Sequence, residues 1–443
     1  MYGWLFMGCQ LGAFFIEKMN IRSLRIPFKL WQQVRIHLPR VWRVLIKIFK
    51  KILVISIALY LVYKILTFKE DPIRRNASLP GWGRDTPRSI SDYLDPNQDT
   101  AIIVPRGFCQ SKAFLTIAVC SFVHHFDRRR AIRMLWGNST DFNYSSFVKL
   151  HGHLKGKYLE VLPERVKLYA EYLSGEGASL KASVRIVFIL GRRNLASLWE
   201  NEAVAREAEK YNDIIQENFM DTYNNLTIKA IMALKHISQS CVNTTAFYLK
   251  CDDDTFVNVP NLLHFLLGGT VPVNNVTAYY HYRDTYMATW RRTRLTEIKD
   301  VMYGRQFCNV HPITNKLNKW YMPSYMFRGK VYPPYLCGSG YLTSIDVVPR
   351  LYKASLGTKM VLLEDLFVTG LCAEKAGIKR NNHPLFRSSY PYPPEEECTF
   401  KGCFTVHRAK DYLMWEGWYQ VINYSSKCEP PSKAITLPKT HRC

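Results

Sequence analysis

From Ala113 onward the chain alternates between short apolar runs and longer stretches with helical spacing. AFLTIAVCS (Ala113–Ser121), VRIVFILG (Val184–Gly191) and AFYLKC (Ala246–Cys251) are continuous and rich in β-branched and aromatic residues, the pattern of strands buried on both faces. Between them lie predicted helices. Asp127 is a candidate N-cap for RRRAIRMLWG (Arg128–Gly137), and Leu195–Tyr211 is rich in Ala and Glu. In Asn225–Ile237, Leu226, Ala230, Leu234 and Ile237 share one helical face. Strands alternating with helices predict an α/β domain over residues 113–443, with a mainly parallel central sheet and helices on both faces. Ligands of such sheets bind beyond the carboxyl ends of the strands. The third strand ends there in Asp252.

Upstream the pattern changes twice. Residues 69–112 carry Pro72, Pro80, Pro87, Pro96 and Pro105 among scattered Gly, Asp and Ser, and read as an extended stem. Before them Ile52–Phe68, ILVISIALYLVYKILTF, is apolar apart from Lys64. A helix there is about 25 Å long, slightly short of a ~30 Å hydrocarbon core, and Lys64 can snorkel to the interface. Lys18, Arg22, Arg25, Lys29, Arg35, Arg40, Arg43, Lys47, Lys50 and Lys51 precede it against Glu17 alone. That asymmetry predicts a cytosolic tail over 1–51, a signal anchor over 52–68 and a lumenal body, as in a single-pass type II protein of the Golgi membrane. A cleaved signal peptide fits less well, since no small-residue cleavage site follows the run.

Charge and cysteines sharpen this picture. A net charge of +24 and a pI of about 9.5 raise nucleic-acid binding as a possibility. Much of the excess sits beside the anchor, where topology explains it, so no nucleic-acid partner is expected. Sequons at Asn76, Asn138, Asn143, Asn225, Asn243, Asn275 and Asn423 agree with a lumenal glycoprotein. Most cysteines should pair there, and the odd number beyond the anchor leaves at least one over. Cys337 with Cys372 is an attractive but underivable pair. A homo-oligomer is compatible with the sequence.

Two acidic groups carry the candidate chemistry. Asp252, Asp253 and Asp254 end a strand, and three adjacent carboxylates repel one another unless a cation intervenes. A divalent ion bridging to a diphosphate answers that, with Asp252 and Asp254 on one side of an extended backbone; a solvated acidic turn is the bland alternative. An EF-hand is excluded, because Val257 and Leu263 stand where Gly and Glu are required. Glu364 and Asp365 sit inside MVLLEDLFVTGLC, and either cap the following helix or present a base in a cleft. His407 is structural, or half of a zinc site with Cys398 and Cys403. Arg129 and Arg133 share a helical face, suited to a diphosphate or simply to solvent.

These segments, in this order, resemble the animal β-1,3-galactosyltransferases, a family that includes β-1,3-N-acetylglucosaminyltransferases and is related to the Fringe proteins. The resemblance runs through RRAIRMLWG (Arg129–Gly137), FILG (Phe188–Gly191), Tyr211–Lys229, YLKCDDDTFVNVPNL (Tyr248–Leu262), YPPYLCGSGYLTS (Tyr332–Ser344), LEDLFVTGLC (Leu363–Cys372) and Thr405–Trp418. It implies a nucleotide-sugar-binding GT-A fold and inverting transfer. It also implies Mn²⁺ on Asp254 and His407, Asp252 or Asp253 near the donor ribose, and Arg129 and Arg133 near the nucleotide. Asp365 would be the base, with Glu364 beside it. Trp320, Tyr321, Tyr335 and the Gly338-Ser339-Gly340 turn would border the acceptor. Leu135, Asn218 and Leu366 depart from the family's usual Thr, Asp and Val. The expected activity is transfer of a hexose, galactose foremost, from a UDP-sugar donor to a glycan acceptor on a glycoprotein or glycolipid. UDP-N-acetylglucosamine and UDP-N-acetylgalactosamine are the alternative donors. Competing readings are a non-enzymatic lectin or chaperone of the lumen and a glycoside hydrolase using Asp254 and Asp365.

Overall fold

The computed structural model describes residues 45–63, 82–138, 141–193, 198–272, 295–388, 400–409 and 412–422, which divide into one unit up to Glu70 and another from Asp71. In the first unit residues 45–63 are helical, with apolar side chains such as Leu53, Val54, Leu59 and Tyr63 exposed. The predicted anchor 52–68 lies partly outside the described residues. Among those described, no helix is long and apolar enough to cross a membrane.

The second unit is built on one large sheet. Its strands are β1 (Ala101–Ile103), β2 (Ala113–Cys120), β3 (Asp141–Asn143), β4 (Leu173–Ser174), β5 (Lys181–Arg192), β6 (Ile214–Met220), β7 (Thr245–Asp252), β9 (Met302–Phe307), β10 (Tyr335–Ser344) and β11 (Asn381–Asn382). A smaller sheet joins β8 (Thr255–Val257), β12 (Phe386–Arg387) and β13 (Thr405–His407). The large sheet runs β1-β6-β5-β2-β7-β10-β9-β11. Its centre, β6-β5-β2-β7, is parallel, as the apolar runs predicted. Every residue of β2 is buried, because layers cover both faces. β10 and β9 then continue the sheet antiparallel.

Three expectations change. Helix Phe126–Met134 starts at His125 with no side-chain cap bond, so Asp127 lies in its first turn rather than at the cap. Helix Leu226–Ser240 is buried on every side from Thr227 to Ile237, not along one face. Its polar residues are accordingly paired: Lys229 with Asp221 at 2.7 Å, and His236 with Glu217 at 2.6 Å.

The third change concerns the stem. Residues 82–112 are part of the folded body. Ile90, Tyr93, Leu94 and Cys109 are buried in the core, Arg88 donates to the carbonyls of Tyr325, Met326 and Met360, and β1 extends the sheet beside β6. Cys109 pairs with Cys241 across 132 residues, a closure worth about 5 kcal/mol by loop entropy. Cys337 and Cys372 do not pair. Both are free thiols, and burial pushes them up to about 11 and about 12. The Asn225 sequon is also structural, since its buried amide donates to Met220 O at 2.9 Å.

Candidate active site

Strand register assembles the site. The chain leaves β7 at Asp252, turns through Asp253 and Asp254, and re-enters as β8. β13 pairs antiparallel with β8, His407 facing Thr255. That single pairing carries His407 across a long sequence gap, so that its Nε2 lies 3.4 Å from Asp254 Oδ1. Asp252, Asp254 and His407 together offer one ligand atom each within 4.8 Å of one another. On the other side β10 pairs antiparallel with β7, Gly340 facing Cys251, which lays Gly338 and Ser339 beside Asp252. All three border a cleft of about 810 Å³ with Glu364 and Asp365.

Within each acidic group the carboxylates take different parts. Asp253 accepts from Ser121 at 2.7 Å and Arg128 at 2.8 Å, and pairs with His125 at 2.7 Å. Burial pushes its pKa up, but these partners outweigh it and hold the carboxyl at about 2. Asp254 is more open. Burial again pushes it up, and His407 more than compensates, leaving it below the ordinary value, while His407 is raised by the same contact.

The second acidic pair sits at the start of a π-helical turn, Leu366–Cys372. Glu364 is buried, bonded to Lys250 at 3.1 Å and to the Tyr341 hydroxyl at 3.0 Å, and burial raises it to about 7. Asp365 both caps the turn and borders the cleft. One oxygen caps the turn through Leu366 N at 2.9 Å; the other accepts from Gly338 N at 3.3 Å on the cleft side. Burial raises its pKa, with those two N–H groups opposing. At Gly338 an added Cβ would lie 2.9 Å from Glu364 Oε2 and 3.1 Å from Asp365 Cβ, so a side chain there would press on both acidic residues. Lys250 joins the two groups. Its ammonium donates to Asp252 at 2.8 Å, Gly338 O at 2.6 Å and Glu364 at 3.1 Å, and these anions keep it charged despite burial.

Several expected residues stand elsewhere. Arg129 and Arg133 do not border the cleft. Arg129 is wholly buried and clamps Glu207 at 2.6 Å, and Arg133 bridges Glu207 at 2.6 Å and Asp213 at 2.7 Å. Arg128, one residue earlier and so turned by about 100° around the helix, is the member of that run which reaches the cleft. Trp320, Tyr335 and Gly338 border it, whereas Tyr321 and Gly340 do not. Gly338-Ser339-Gly340 is strand with a register irregularity rather than a turn. Cys398 lies outside the described residues. Cys403 is buried against Phe400 O at 3.1 Å, and the metal-ligand group found among the described residues holds no cysteine.

Residues 168–294 and 280–384 match the family model described as Galactosyltransferase. The chain belongs to this galactosyltransferase family. Beta-1,3-galactosyltransferase 1 of Mus musculus is 28% identical over 328 residues, covering 73% of this chain and 79% of that protein. The human N-acetyllactosaminide beta-1,3-N-acetylglucosaminyltransferase 4 is 27% identical over 344 residues, covering 77% and 73%. Among solved structures, the WbbM bifunctional glycosyltransferase aligns over 74% of this chain and about half, 51%, of its own, at 11% identity and a TM-score of 0.26, too loose a superposition to inform the fold. The galactosyltransferase family membership makes the chain a glycosyltransferase with a sugar donor and an acceptor. Its cleft also contains groups that the sequence reading passed over: His125, Arg128, Tyr223, Lys250, Arg305, Lys319, Arg387 and Arg408. Lys250 alone carried a signal, as a lone charge inside an apolar strand. The others acquire meaning only from tertiary placement.

Proposed function

We propose that this protein is an inverting β-1,3-glycosyltransferase that takes galactose from UDP-galactose and places it on a glycan hydroxyl. The observation carrying this is the placement of Asp365 and the Asp252, Asp254 and His407 group on one cleft. The donor set of two carboxylates and an imidazole suits Mn²⁺, and the partly exposed position of all three residues leaves room for a nucleotide's phosphates. Bound there, the ion would offset the charge developing on departing UDP.

The chain's own residues do the rest. Arg128, fixed by Asp253, faces the donor side. Asp365 takes a proton from the acceptor hydroxyl through the oxygen that points into the cleft. The acceptor oxygen attacks the anomeric carbon from the face opposite UDP, so an α-linked donor gives a β-linked product. Glu364 is held by Lys250 and Tyr341 and acts as scaffold. Galactose as the donor sugar is supported by the likeness of the TVH segment to the galactosyltransferase branch. The basic tail and the apolar run 52–68 support a type II anchor in the Golgi membrane.

The test is a donor screen on a body that begins before Trp82, with UDP-galactose, UDP-N-acetylglucosamine and UDP-N-acetylgalactosamine, each with Mn²⁺ and simple β-linked acceptors. UDP release with galactose foremost, stopped by chelator and restored by Mn²⁺, is expected. Full activity in excess chelator, or release from none of the donors, would overturn the reading.

A further inference from the structure

The part of β10 that meets the proposed base lies at a break in the sheet. Its registered pairs with β7 stop at Gly340, and those with β9 break between Leu336 and Tyr341. Gly338 falls in that break. Its N–H is nevertheless the group that Asp365 accepts from on the cleft side, at 3.3 Å, while the other oxygen of Asp365 is tied back to Leu366 N. The aim of the cleft-side oxygen therefore depends on what fixes the Gly338 peptide. On the carbonyl side that peptide is held by a side chain, the Lys250 ammonium, which donates to Gly338 O at 2.6 Å.

Lys250 can act as a fixed point because it is itself fixed. It stands in β7, opposite Ala118 of β2 on one side and Tyr341 of β10 on the other, and is only 2% exposed. Alternate residues of a strand share a face, so Asp252 accepts from the same ammonium at 2.8 Å, and Glu364 accepts from it at 3.1 Å. An ammonium has three N–H donors, and these three acceptors use them all. Turning the ammonium elsewhere would strand one of its partners in the interior. A plain counter-ion for buried Glu364 would be a lesser role. It accounts for the two carboxylate contacts but not for the grip on the Gly338 carbonyl, which is the shortest of the three.

Resting on the glycosyltransferase reading above, we propose that Lys250 is a positioning residue for the transfer: by gripping the Gly338 carbonyl it sets the Gly338 N–H that aims Asp365 into the cleft. The experiment uses the full chain with Mn²⁺, UDP-galactose and aryl β-galactoside or aryl N-acetyl-β-glucosaminide acceptors. Lys250→Met alone strands the Glu364 carboxylate in the interior, so the double variant Lys250→Met with Glu364→Gln, which strands no charge there, carries the test against Glu364→Gln as its reference. The double variant should melt close to the reference and bind UDP with Mn²⁺ equally well by calorimetry. Its kcat should fall about a further hundredfold, the cost of a base displaced by about 1 Å.

If kcat of the double variant matches that of Glu364→Gln, Lys250 is a counter-ion only; the inference falls and the glycosyltransferase reading stands. UDP affinity lost in step with kcat would place the action of Lys250 on the metal-ligand side and would also overturn it. A double variant without a cooperative melt would make Lys250 structural, with the same consequence. If the unaltered chain neither binds UDP nor releases it from UDP-galactose, the functional reading fails and the inference with it.

Discussion

Asp252-Asp253-Asp254 and Glu364-Asp365 are both runs of adjacent carboxylates at the end of apolar segments, yet they are handled in opposite ways. The triplet is neutralised from outside by Arg128, His125, His407 and Lys250, so Asp253 and Asp254 are held below the ordinary range. Burial dominates at the pair instead, raising Glu364 to about 7 and raising Asp365 as well, while Lys250 opposes it at Glu364. A low pKa suits a ligand that must stay anionic beside a cation; a raised one suits a group that has to take a proton. In the proposed mechanism one residue of each run is scaffold, Asp253 in the first and Glu364 in the second, and the rest face the reaction.

Substitutions can break this comparison. Asp254→Ala or His407→Ala should lower transfer by about a thousandfold or more, several kcal/mol of charge stabilisation, and abolish metal-dependent UDP binding seen by calorimetry. Glu364→Gln should cost about tenfold in kcat, because it keeps the shape of the scaffold while removing the anion Lys250 faces; a loss as deep as that at Asp365 would make Glu364 the base. Asp253→Asn should act on stability instead. Losing the charge that Arg128 and His125 share costs about 1–3 kcal/mol, read as a lower Tm with metal dependence retained.

The smallest effect is on pH. With Asp365 as the proposed base, transfer requires it unprotonated, and burial raises its pKa. The rate should therefore fall with falling pH at a point above that of an ordinary aspartate. His407, raised by Asp254, adds to the same limb because its protonated ring binds no metal. A rate constant down to pH 4 in a kcat/KM profile would place the base elsewhere.

How much of this could be read in advance follows from where the information lies. β2, β5 and β7 were legible because strands covered on both faces must be continuously apolar. β8, β12 and β13 were not, since each is two or three residues long and no periodicity fits in that length. Yet these strands set His407 beside Asp254. The two acidic runs stood out as charge inside apolar sequence, but their division of labour depends on Lys250 and Gly338. In Arg128-Arg129-Arg130, sequence could not say which arginine faces the cleft, because helix phase is fixed by what the helix packs against. Residues 82–112 looked like a linker for their prolines, while Ile90, Tyr93 and Leu94 bury themselves through a single 3₁₀ turn.

The central claim is that ligand and base are separate carboxylates on one cleft, and Asp365→Asn tests it most directly when turnover and UDP affinity are measured on the same preparation with Mn²⁺. Turnover reduced by about 10²–10⁴-fold with unchanged UDP affinity is the expected result. Near-normal turnover, or UDP affinity lost along with it, would contradict that division.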